Sequence, residues 1–360
     1  MFIKDYLETI NKWKNCPMAS YVCPVAKFTK LETNTPRGLA LILSLIIDNK
    51  KEYDKEAIDR IYQCDMCRAC EAIRRDDSSV PDSIIAARRD INKLEKEPEN
   101  VKDLKNDIIQ SSRLFDKKWI DKKISEFSSR SGLLLIGYDS ANFKKSFCNT
   151  DYLLSKLKIN YSMLDIGKYP SPISTLHELG YGEDSSLALE NLCYFINNIN
   201  VKEIVFMVPY DLEFIKGKKV NLQKSPILTH SFIYLKGLVN NLNLSLNKSA
   251  VYFDLISNRG SEEFYEIPRE ILKSIKDLDI KEMMWSRKES TSCGGLSIPY
   301  TFPELSEGII GNIIEEADDY KVDTIITSCS HCRDNLKADD NFNKKYNIMD
   351  LWEVVRLSDK

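Results

Sequence analysis

The sequence predicts an α-helical N-terminal domain followed by two repeated α/β lobes with parallel sheets. Helical patterns fill residues 1–125, and short apolar runs typical of strands begin only after residues 128–132. Four such runs alternate with helical segments, at residues 133–136, 204–208, 251–253 and 324–327. This alternation is typical of α/β units whose strands form a parallel sheet.

An internal repeat predicts that the two lobes are related. Residues 171–215, shifted by 121 positions, align without a gap on residues 292–336, so that Asn191 falls on Asn312 and Glu183 on Glu304. Both copies end with an apolar strand, a short polar turn and a helix. We therefore expect a helical domain at residues 1–128 and lobes at residues 129–240 and 241–360.

Within the helical domain, apolar spacing predicts individual helices. Pro36 stands near the start of the apolar stretch 39–47, a position that suits the first turn of a helix. Residues 84–94 have a helical pattern, and residues 115–127 fit a connecting helix. Residues 93–107 are rich in charge and contain Pro98, so we expect a turn or exposed loop there.

The composition indicates a soluble globular protein in a reducing compartment. The 360 residues are 43% hydrophobic and 29% charged, with a net charge of −3, which does not favour nucleic acid as a partner. We expect no secretory signal and no transmembrane segment, because the longest apolar stretch is shorter than the roughly 20 residues that span a bilayer. Ten cysteines without an export signal predict a cytoplasmic protein whose thiols bind metal.

The N-terminal cysteines predict one iron–sulfur cluster. Cys64, Cys67 and Cys70 follow at intervals of three, and Cys23 lies far upstream before Pro24. In two-cluster ferredoxins the motif is C-x2-C-x2-C-x3-C-P, and its fourth cysteine ligates the cluster of the other motif. The crossed set of Cys23 with the later three is complete. The other set would need cysteines at positions 13, 16, 19 and 74. Only Cys16 is one; the others are Trp13, Ala19 and Arg74.

We therefore expect a ferredoxin-like helical domain with a single [4Fe–4S] cluster, held by Cys23, Cys64, Cys67 and Cys70. Zinc is the alternative, since four thiolates also suit that metal, although structural zinc sites usually use paired C-x2-C units. Free thiols are a third alternative. Trp13 and Arg74 are interpreted as filling or capping the pocket of the missing cluster.

A second group of cysteines lies in the last lobe. Cys293 precedes two glycines, which permit a close backbone approach to a bound inorganic group, and Cys329 and Cys332 lie where a strand meets a helix. The helix N-terminus is expected to lower the pKa of Cys329 and Cys332. Three outcomes stay open for this trio: a second cluster, zinc with His331 as fourth ligand, or no metal. The first lobe has no thiols at the corresponding positions, which are Pro172, Val208 and Asp211. This predicts a scaffold role for the first lobe.

These motifs resemble the cysteine-rich CCG domain family of heterodisulfide reductase and of the iron–sulfur subunits of glycolate and lactate oxidation and anaerobic glycerol-3-phosphate dehydrogenase. The family's ferredoxin-type motifs flank a Pro-Arg-Gly helix, here Pro36, Arg37 and Gly38. The resemblance implies an iron–sulfur electron-transfer subunit of an oxidoreductase, more readily than an enzyme in its own right. It also implies a flavin-binding dehydrogenase subunit as partner, one that oxidises a small 2-hydroxy acid, and exchange with other redox proteins.

The chain also departs from the family pattern. A full lobe of the family carries five thiols, whereas here the expected positions near Ile256 and at Ser292 have none. A fourth ligand would then come from Asp254, His331 or a partner. The alternative functions are a disulfide or thiol reductase that uses Cys293, Cys329 and Cys332, and a scaffold protein with structural zinc. No G-x-G-x-x-G occurs, so a flavin or nicotinamide is expected on a partner.

Overall fold

The structure is a computed structural model of the chain. It describes residues 1–73, 78–130, 132–139, 141–218, 220, 222–223, 226–255, 262–338 and 340–360. Position 74, interpreted above as part of a vacated cluster pocket, and position 256, compared above with a family cysteine, lie outside the described residues.

The N-terminal region is helical, as predicted. Its helices are α1 Leu7–Trp13, α2 Pro24–Thr29, α3 Pro36–Ile47, α4 Lys55–Tyr62, α5 Ala69–Ile73, α6 Val80–Lys93, α7 Glu99–Ser111 and α8 Lys117–Phe127. Side-chain oxygens cap several helices; the Thr35 hydroxyl, for example, accepts a hydrogen bond from the Gly38 N–H at 2.9 Å. Such caps satisfy N–H groups that the first helical turn leaves without partners.

One prediction for this region was wrong. Residues 99–107 belong to α7 instead of an exposed loop, and the turn is confined to the residues before it. The reason is packing, because Val101, Leu104 and Ile108 lie on one face of α7 and are buried against the core of the helical domain. The high charge of this segment is on the opposite, solvated face of the helix.

The rest of the chain forms two α/β lobes, each with a four-stranded parallel sheet. The first sheet contains β1 Leu133–Gly137, β2 Tyr161–Asp165, β3 Glu203–Phe206 and β4 Ile227–His230, in the order β2-β1-β3-β4. The second contains β5 Ser245–Phe253, β6 Lys276–Glu282, β7 Thr324–Thr327 and β8 Asn347–Asp350, in the order β6-β5-β7-β8. The two sheets therefore have the same topology.

Helices connect the strands of each lobe. Those of the first lobe are α9 Ala141–Lys156, α10 Pro172–Glu178, α11 Gly182–Asn198, α12 Tyr210–Gly217 and α13 Ser231–Val239. Those of the second are α14 Glu262–Lys273, α15 Ile298–Thr301, α16 Pro303–Asp318, α17 Ser330–Lys337, α18 Asp340–Lys345 and α19 Leu351–Ser358. The starts of β3 and β7, and those of α11 and α16, differ by 121 positions, the shift of the sequence repeat.

Apolar contacts join the helical region to both lobes. Ile120 and Phe127 of α8 lie in the core of the first lobe, where the Phe127 ring meets the Phe195 ring edge-on at 6.0 Å. Val25 of α2 packs with Ile309 of α16 in a separate cluster between the helical region and the second lobe. Among the described residues, no helix combines the length and apolar character that crossing a bilayer requires.

Candidate metal centres

Four thiols from two distant segments line one cavity in the helical domain. These are the residues predicted from the sequence, Cys23, Cys64, Cys67 and Cys70. Cys67 and Cys70 are buried, whereas Cys23 and Cys64 are half-buried. The two segments are joined at Asn34, whose side-chain amide donates to the Gln63 side chain at 2.8 Å and whose carbonyl accepts from the Cys23 thiol at 3.5 Å.

Helix α2 explains why a proline follows Cys23. Cys23 is the N-cap residue of α2, and Pro24 occupies the first helical position, where a missing N–H costs nothing. The next two backbone N–H groups, of Val25 and Ala26, donate to the Cys23 sulfur. These N–H groups favour the thiolate form of Cys23, although burial disfavours that form more strongly.

The loop that carries the other three cysteines has an unusual backbone. Met66 and Arg68 both have a φ of 56°, in the left-handed region, and they alternate with residues of ordinary φ. Such alternation turns neighbouring N–H groups towards one concave face, an arrangement that binds anions and occurs at iron–sulfur sites. In agreement, the Met66 N–H donates to the Cys64 sulfur, and the Cys67 N–H donates to Asp65 Oδ1 at 3.3 Å.

The Pro-Arg-Gly sequence places α3 against this cavity. Pro36 and Leu39 line the cavity together with the four cysteines. A side chain at position 38 would overlap the carbonyl oxygen of Glu32, so glycine is needed for α3 to pack on the preceding turn. The motif therefore positions α3 so that its first turn lines one side of the cavity.

A buried arginine, Arg88, lies beside Cys64 and was missed in the sequence. Its guanidinium donates to the carbonyl oxygens of Ile61, Tyr62, Cys64 and Glu178, at distances from 2.6 to 3.3 Å. Arg88 is 0% exposed, and burial lowers its pKa. The signal that could have identified it is its place in the apolar stripe of α6, four residues after Ile84 and three before Ile91.

Burial sets the protonation of these thiols in the absence of a cation. It raises the pKa of Cys64 to about 11 and that of Cys23 further still. Grouped thiols of this kind become good ligands when a metal supplies positive charge, because metal binding displaces their protons. The donor set therefore fits a metal group that thiolates hold.

The positions of the missing first set are largely apolar and buried. Trp13 is 0% exposed and Ala19 is 1% exposed, and both belong to the core of the helical domain. The Trp13 indole N–H donates to the Ser78 hydroxyl at 2.9 Å. Cys16 is half-buried. A large side chain, that of Trp13, thus occupies core space of the helical domain at one of these positions.

The three cysteines of the second lobe come together in its interior. Cys293, Cys329 and Cys332 are each 0% exposed, and the sulfurs of Cys293 and Cys332 are 2.9 Å apart. Cys293 precedes Gly294 and Gly295, whose φ values are +99° and +66°. Cys329 is the N-cap of α17, and Cys332 lies in its first turn.

The expected lowering of the Cys332 pKa was wrong. Contacts with the Cys293 and Cys329 thiols, together with burial, raise this pKa well above its ordinary value. One negative charge among three adjacent sulfurs is unfavourable when water is excluded, and this outweighs the effect of the helix N-terminus. The Cys332 thiol is therefore protonated when no metal is bound.

The two side chains considered as fourth ligands are already bonded. Both oxygens of Asp254 accept from the Arg269 guanidinium at 2.8 Å, and one of them also accepts from the Arg287 N–H at 2.7 Å. His331 Nε2 lies 3.0 Å from the Gly295 carbonyl oxygen and 3.3 Å from the Asn335 amide nitrogen.

Neither cysteine group converges on a point in the way that ligands surround one ion. Among the described residues, no three Cys, His, Asp or Glu side chains are spaced to hold a single metal ion. The N-terminal thiols surround a cavity, whereas the C-terminal thiols are in mutual contact.

In the first lobe, a carboxylate takes the position of a thiol. Asp211, the counterpart of Cys332, is buried, and its Oδ1 accepts from both the N–H and the hydroxyl of Ser174 at 2.9 Å. Burial raises the pKa of Asp211 to about 6. Pro172 and Val208, at the other two equivalent positions, are also buried.

The two cysteine sites are neighbours through backbone contact. Gly295, beside Cys293, packs so closely on Asp65, beside Cys64, that a Cβ at position 295 would overlap the Asp65 carbonyl oxygen. The close approach of Gly295 is thus to the N-terminal cysteine loop, whereas the sequence predicted an approach to a bound inorganic group. Along this route, Gly294 and Gly295 on one side and Asp65 on the other separate Cys293 from Cys64.

Replacement of Gly295 by alanine tests this contact. A left-handed φ costs a residue with a Cβ about 1–2 kcal/mol, and the overlap with Asp65 adds to it, so we expect Gly295→Ala to lower the free energy of unfolding by about 2 kcal/mol or more. Urea unfolding measures the change. Gly311→Ala is the matched control, because its Cβ meets nothing within 4 Å in α16 and should stabilise by about 0.5–1 kcal/mol.

Comparison with known proteins identifies part of the chain. Residues 256–337 match the family described as CCG, cysteine-rich domain. We call this segment, which is similar to that family, the CCG domain. The CCG domain contains Cys293, Cys329 and Cys332, and the earlier resemblance to this family is confirmed for this segment. No curated protein matches the chain.

The fold also has a counterpart among solved structures. The crystal structure of a hypothetical protein from Helicobacter pylori superposes with a TM-score of 0.53 and 9% sequence identity, covering 99% of this chain and 76% of that chain. At this identity the similarity concerns the fold alone. It extends over the helical region as well as both lobes, including the CCG domain.

Proposed function

We propose that the protein is an iron–sulfur electron carrier whose ferredoxin-like helical domain holds one [4Fe–4S] cluster on Cys23, Cys64, Cys67 and Cys70. The observation that carries this proposal is the gathering of four thiols from two distant segments around one cavity. A cluster of this type gains and loses single electrons, at a potential set by charge, hydrogen bonds and exposure. The CCG domain supports a metal-related or redox role.

The surrounding residues are suited to hold a negatively charged group. N–H groups of Val25, Ala26 and Met66 point at the sulfurs, and Arg88 brings a buried positive charge to the Cys64 carbonyl. Hydrogen bonds and positive charge favour the more negative, reduced state, and so raise a reduction potential. Among the described residues, no three Cys, His, Asp or Glu side chains are spaced for a single ion, which supports a cluster over zinc, since zinc needs four ligands at about 2.3 Å from one point.

The contact between Gly295 and Asp65 supports a second metal centre in the CCG domain. Cys293, Cys329 and Cys332 would hold a second iron–sulfur cluster or zinc there. With iron at this site, electrons would pass between the two groups across the shared backbone contact. With zinc, the site would be structural, because zinc has no redox chemistry.

We further propose a flavin-binding dehydrogenase subunit as partner, one that oxidises a small 2-hydroxy acid, within a cytoplasmic complex. The half-buried side of the cluster site, at Cys23, adjoins a segment with large exposed apolar side chains, including Met18, Tyr21, Phe28 and Leu31. Apolar surface of this kind is typical of interaction sites. The ten cysteines, all among the described residues, form no disulfide, which agrees with a reducing compartment.

A disulfide or thiol reductase is the second candidate. The 2.9 Å separation of the Cys293 and Cys332 sulfurs favours it, because two neighbouring thiols can exchange with a disulfide. The three thiols are 0% exposed, however, so a substrate would reach them only after the lobes open. Retained disulfide reduction by Cys332→Ser protein would contradict this second candidate.

Anaerobic purification followed by iron and sulfide analysis tests the proposal. We expect about four irons and four sulfides per chain from the N-terminal site, and about eight irons when the CCG domain holds a second cluster. Visible absorbance should be bleached by dithionite, with a paramagnetic reduced state. A colourless protein with one zinc per chain would contradict the electron-carrier proposal.

A further inference from the structure

The thiols of Cys293 and Cys332 are in direct contact, although the two residues are 39 positions apart in the chain. The Cys293 thiol donates to the Cys332 sulfur over 2.9 Å, and both side chains are 0% exposed. A disulfide bond is about 2.05 Å long, so a small further approach joins the two sulfurs. Cys332 also contacts Cys329, its C-x-x-C neighbour, but the contact with Cys293 has the larger effect on the Cys332 pKa.

Asn335 holds the two cysteines together. It lies in α17 three residues after Cys332, on the same face of the helix. Its side-chain amide donates to the carbonyl oxygens of Cys293 and Gly295, each at 3.3 Å, and lies 3.9 Å from the Cys293 sulfur. The loop that carries Cys293 is thus fastened to the helix that carries Cys332, and the contact between the sulfurs is part of the packing of the lobe.

The first lobe lies against this site. Tyr210, which begins α12, meets the His331 ring edge-on, with centroids 6.4 Å apart and planes at 83°. His331 directly precedes Cys332 in α17. Because the thiols are buried, exchange with an external reagent requires a transient local opening. Such slow access suits a lasting change of state better than rapid turnover.

We propose that Cys293 and Cys332 form a reversible disulfide when the CCG domain holds no metal, and that this bond is a redox switch on the site. A sulfur in a disulfide is no longer available as a thiolate ligand. The oxidised domain therefore keeps one free thiol of the trio, that of Cys329, and cannot hold the metal centre proposed for it. The effect on metal binding rests on the proposed function, whereas formation of the bond does not.

The bond forms by exchange with a low-molecular-weight disulfide, in two steps. A protein thiolate attacks one sulfur of the external disulfide, which releases one small thiol and leaves a mixed disulfide. The second protein thiol then displaces the remaining small thiol. In total the two protein thiols lose two electrons and two protons, and the external disulfide takes up both as it becomes two thiols.

Peptide mapping of the full chain tests the proposal. Wild-type protein is incubated anaerobically with oxidised dithiothreitol, its free thiols are blocked with N-ethylmaleimide in denaturant, and the digest is analysed by mass spectrometry. We expect one cross-linked peptide pair that contains Cys293 and Cys332, lighter by two hydrogens, which reduced dithiothreitol separates again. Cys332→Ser should abolish the cross-link, and Cys329→Ser should keep it.

Asn335→Ala tests the positioning of the pair. Loss of the amide contacts frees the Cys293 loop and lowers the effective concentration of one thiol at the other. We expect the equilibrium constant for disulfide formation against dithiothreitol to fall at least about tenfold, which corresponds to about 30 mV. Asn191→Ala is the matched control, because the Asn191 amide also donates to a backbone carbonyl, that of Leu114, but in the first lobe. Circular dichroism verifies that each variant is folded.

Reconstitution with iron and sulfide tests the switch itself. Protein that carries the disulfide should take up about four irons per chain fewer than reduced protein. Equal uptake by both forms would overturn the effect on metal binding.

Two mapping results would overturn the disulfide: no cross-link in oxidised wild-type protein, or a cross-link between Cys329 and Cys332. Iron at the N-terminal site is measured on separate wild-type samples that have not been oxidised. Its absence would contradict the electron-carrier proposal and leave the peptide map unaffected.

Discussion

Replacement of Cys67 by serine is expected to remove the N-terminal cluster. Cys67 is 8% exposed and lies in the middle of the loop that supplies three of the four thiols. A hydroxyl is a much poorer ligand for iron than a thiolate. We expect the variant to lose about four irons per chain, together with the visible absorbance that dithionite bleaches.

Cys16→Ser is the matched control for this experiment. Cys16 belongs to the same helical domain, is half-buried and does not line the cavity. Its variant should keep the full iron content and absorbance. Equal iron loss in both variants would mean that serine disturbs the domain in general, and unchanged iron in Cys67→Ser would refute the assigned ligand set.

Replacement of Arg88 by methionine is expected to cause the largest loss of stability. The guanidinium satisfies four buried carbonyl oxygens, and methionine can satisfy none of them. Because each unpaired buried acceptor costs about 1 kcal/mol or more, we expect the free energy of unfolding to fall by about 3–5 kcal/mol. Urea unfolding of wild-type and variant protein measures this change.

Two further variants separate the roles of Arg88. Arg89→Met is the matched control, since Arg89 is exposed and stacks over the Phe2 ring, and it should change stability by no more than about 0.5 kcal/mol. Arg88→Lys keeps the positive charge and loses the planar fork. If the charge tunes the cluster, the reduction potential should fall in Arg88→Met and change less in Arg88→Lys. Equal reduction potentials in the wild-type, Arg88→Met and Arg88→Lys proteins would contradict a role of the Arg88 charge in setting the potential.

The sequence predicted the central strands of both sheets and missed the edges. The four apolar runs correspond to β1, β3, β5 and β7, which lie inside the sheets. The four missed strands are the outer ones, and β6 shows why, since its residues Lys276–Glu282 alternate polar and apolar side chains. Edge strands are half solvated, so a search for continuous apolar runs passes over them.

The candidate sites were predictable in part for a similar reason. Spacing in the chain grouped Cys64, Cys67 and Cys70, and a known ferredoxin pattern related them to Cys23. Arg88 and Tyr210 approach the sites through tertiary packing alone, from α6 and from the opposite lobe. No local pattern reports contacts between elements so far apart in sequence, and the charge of Arg88 within an apolar stripe was the one available signal.

The close packing of Gly295 on Asp65 has a thermodynamic consequence. If each loop binds the metal proposed for it and becomes more ordered, it presents a fixed surface to the other loop. Occupancy of either proposed centre would then alter the affinity of the other by the same factor, since such linkage is reciprocal. Maturation of two such centres would be one cooperative event, in which the first cofactor to bind favours binding of the second.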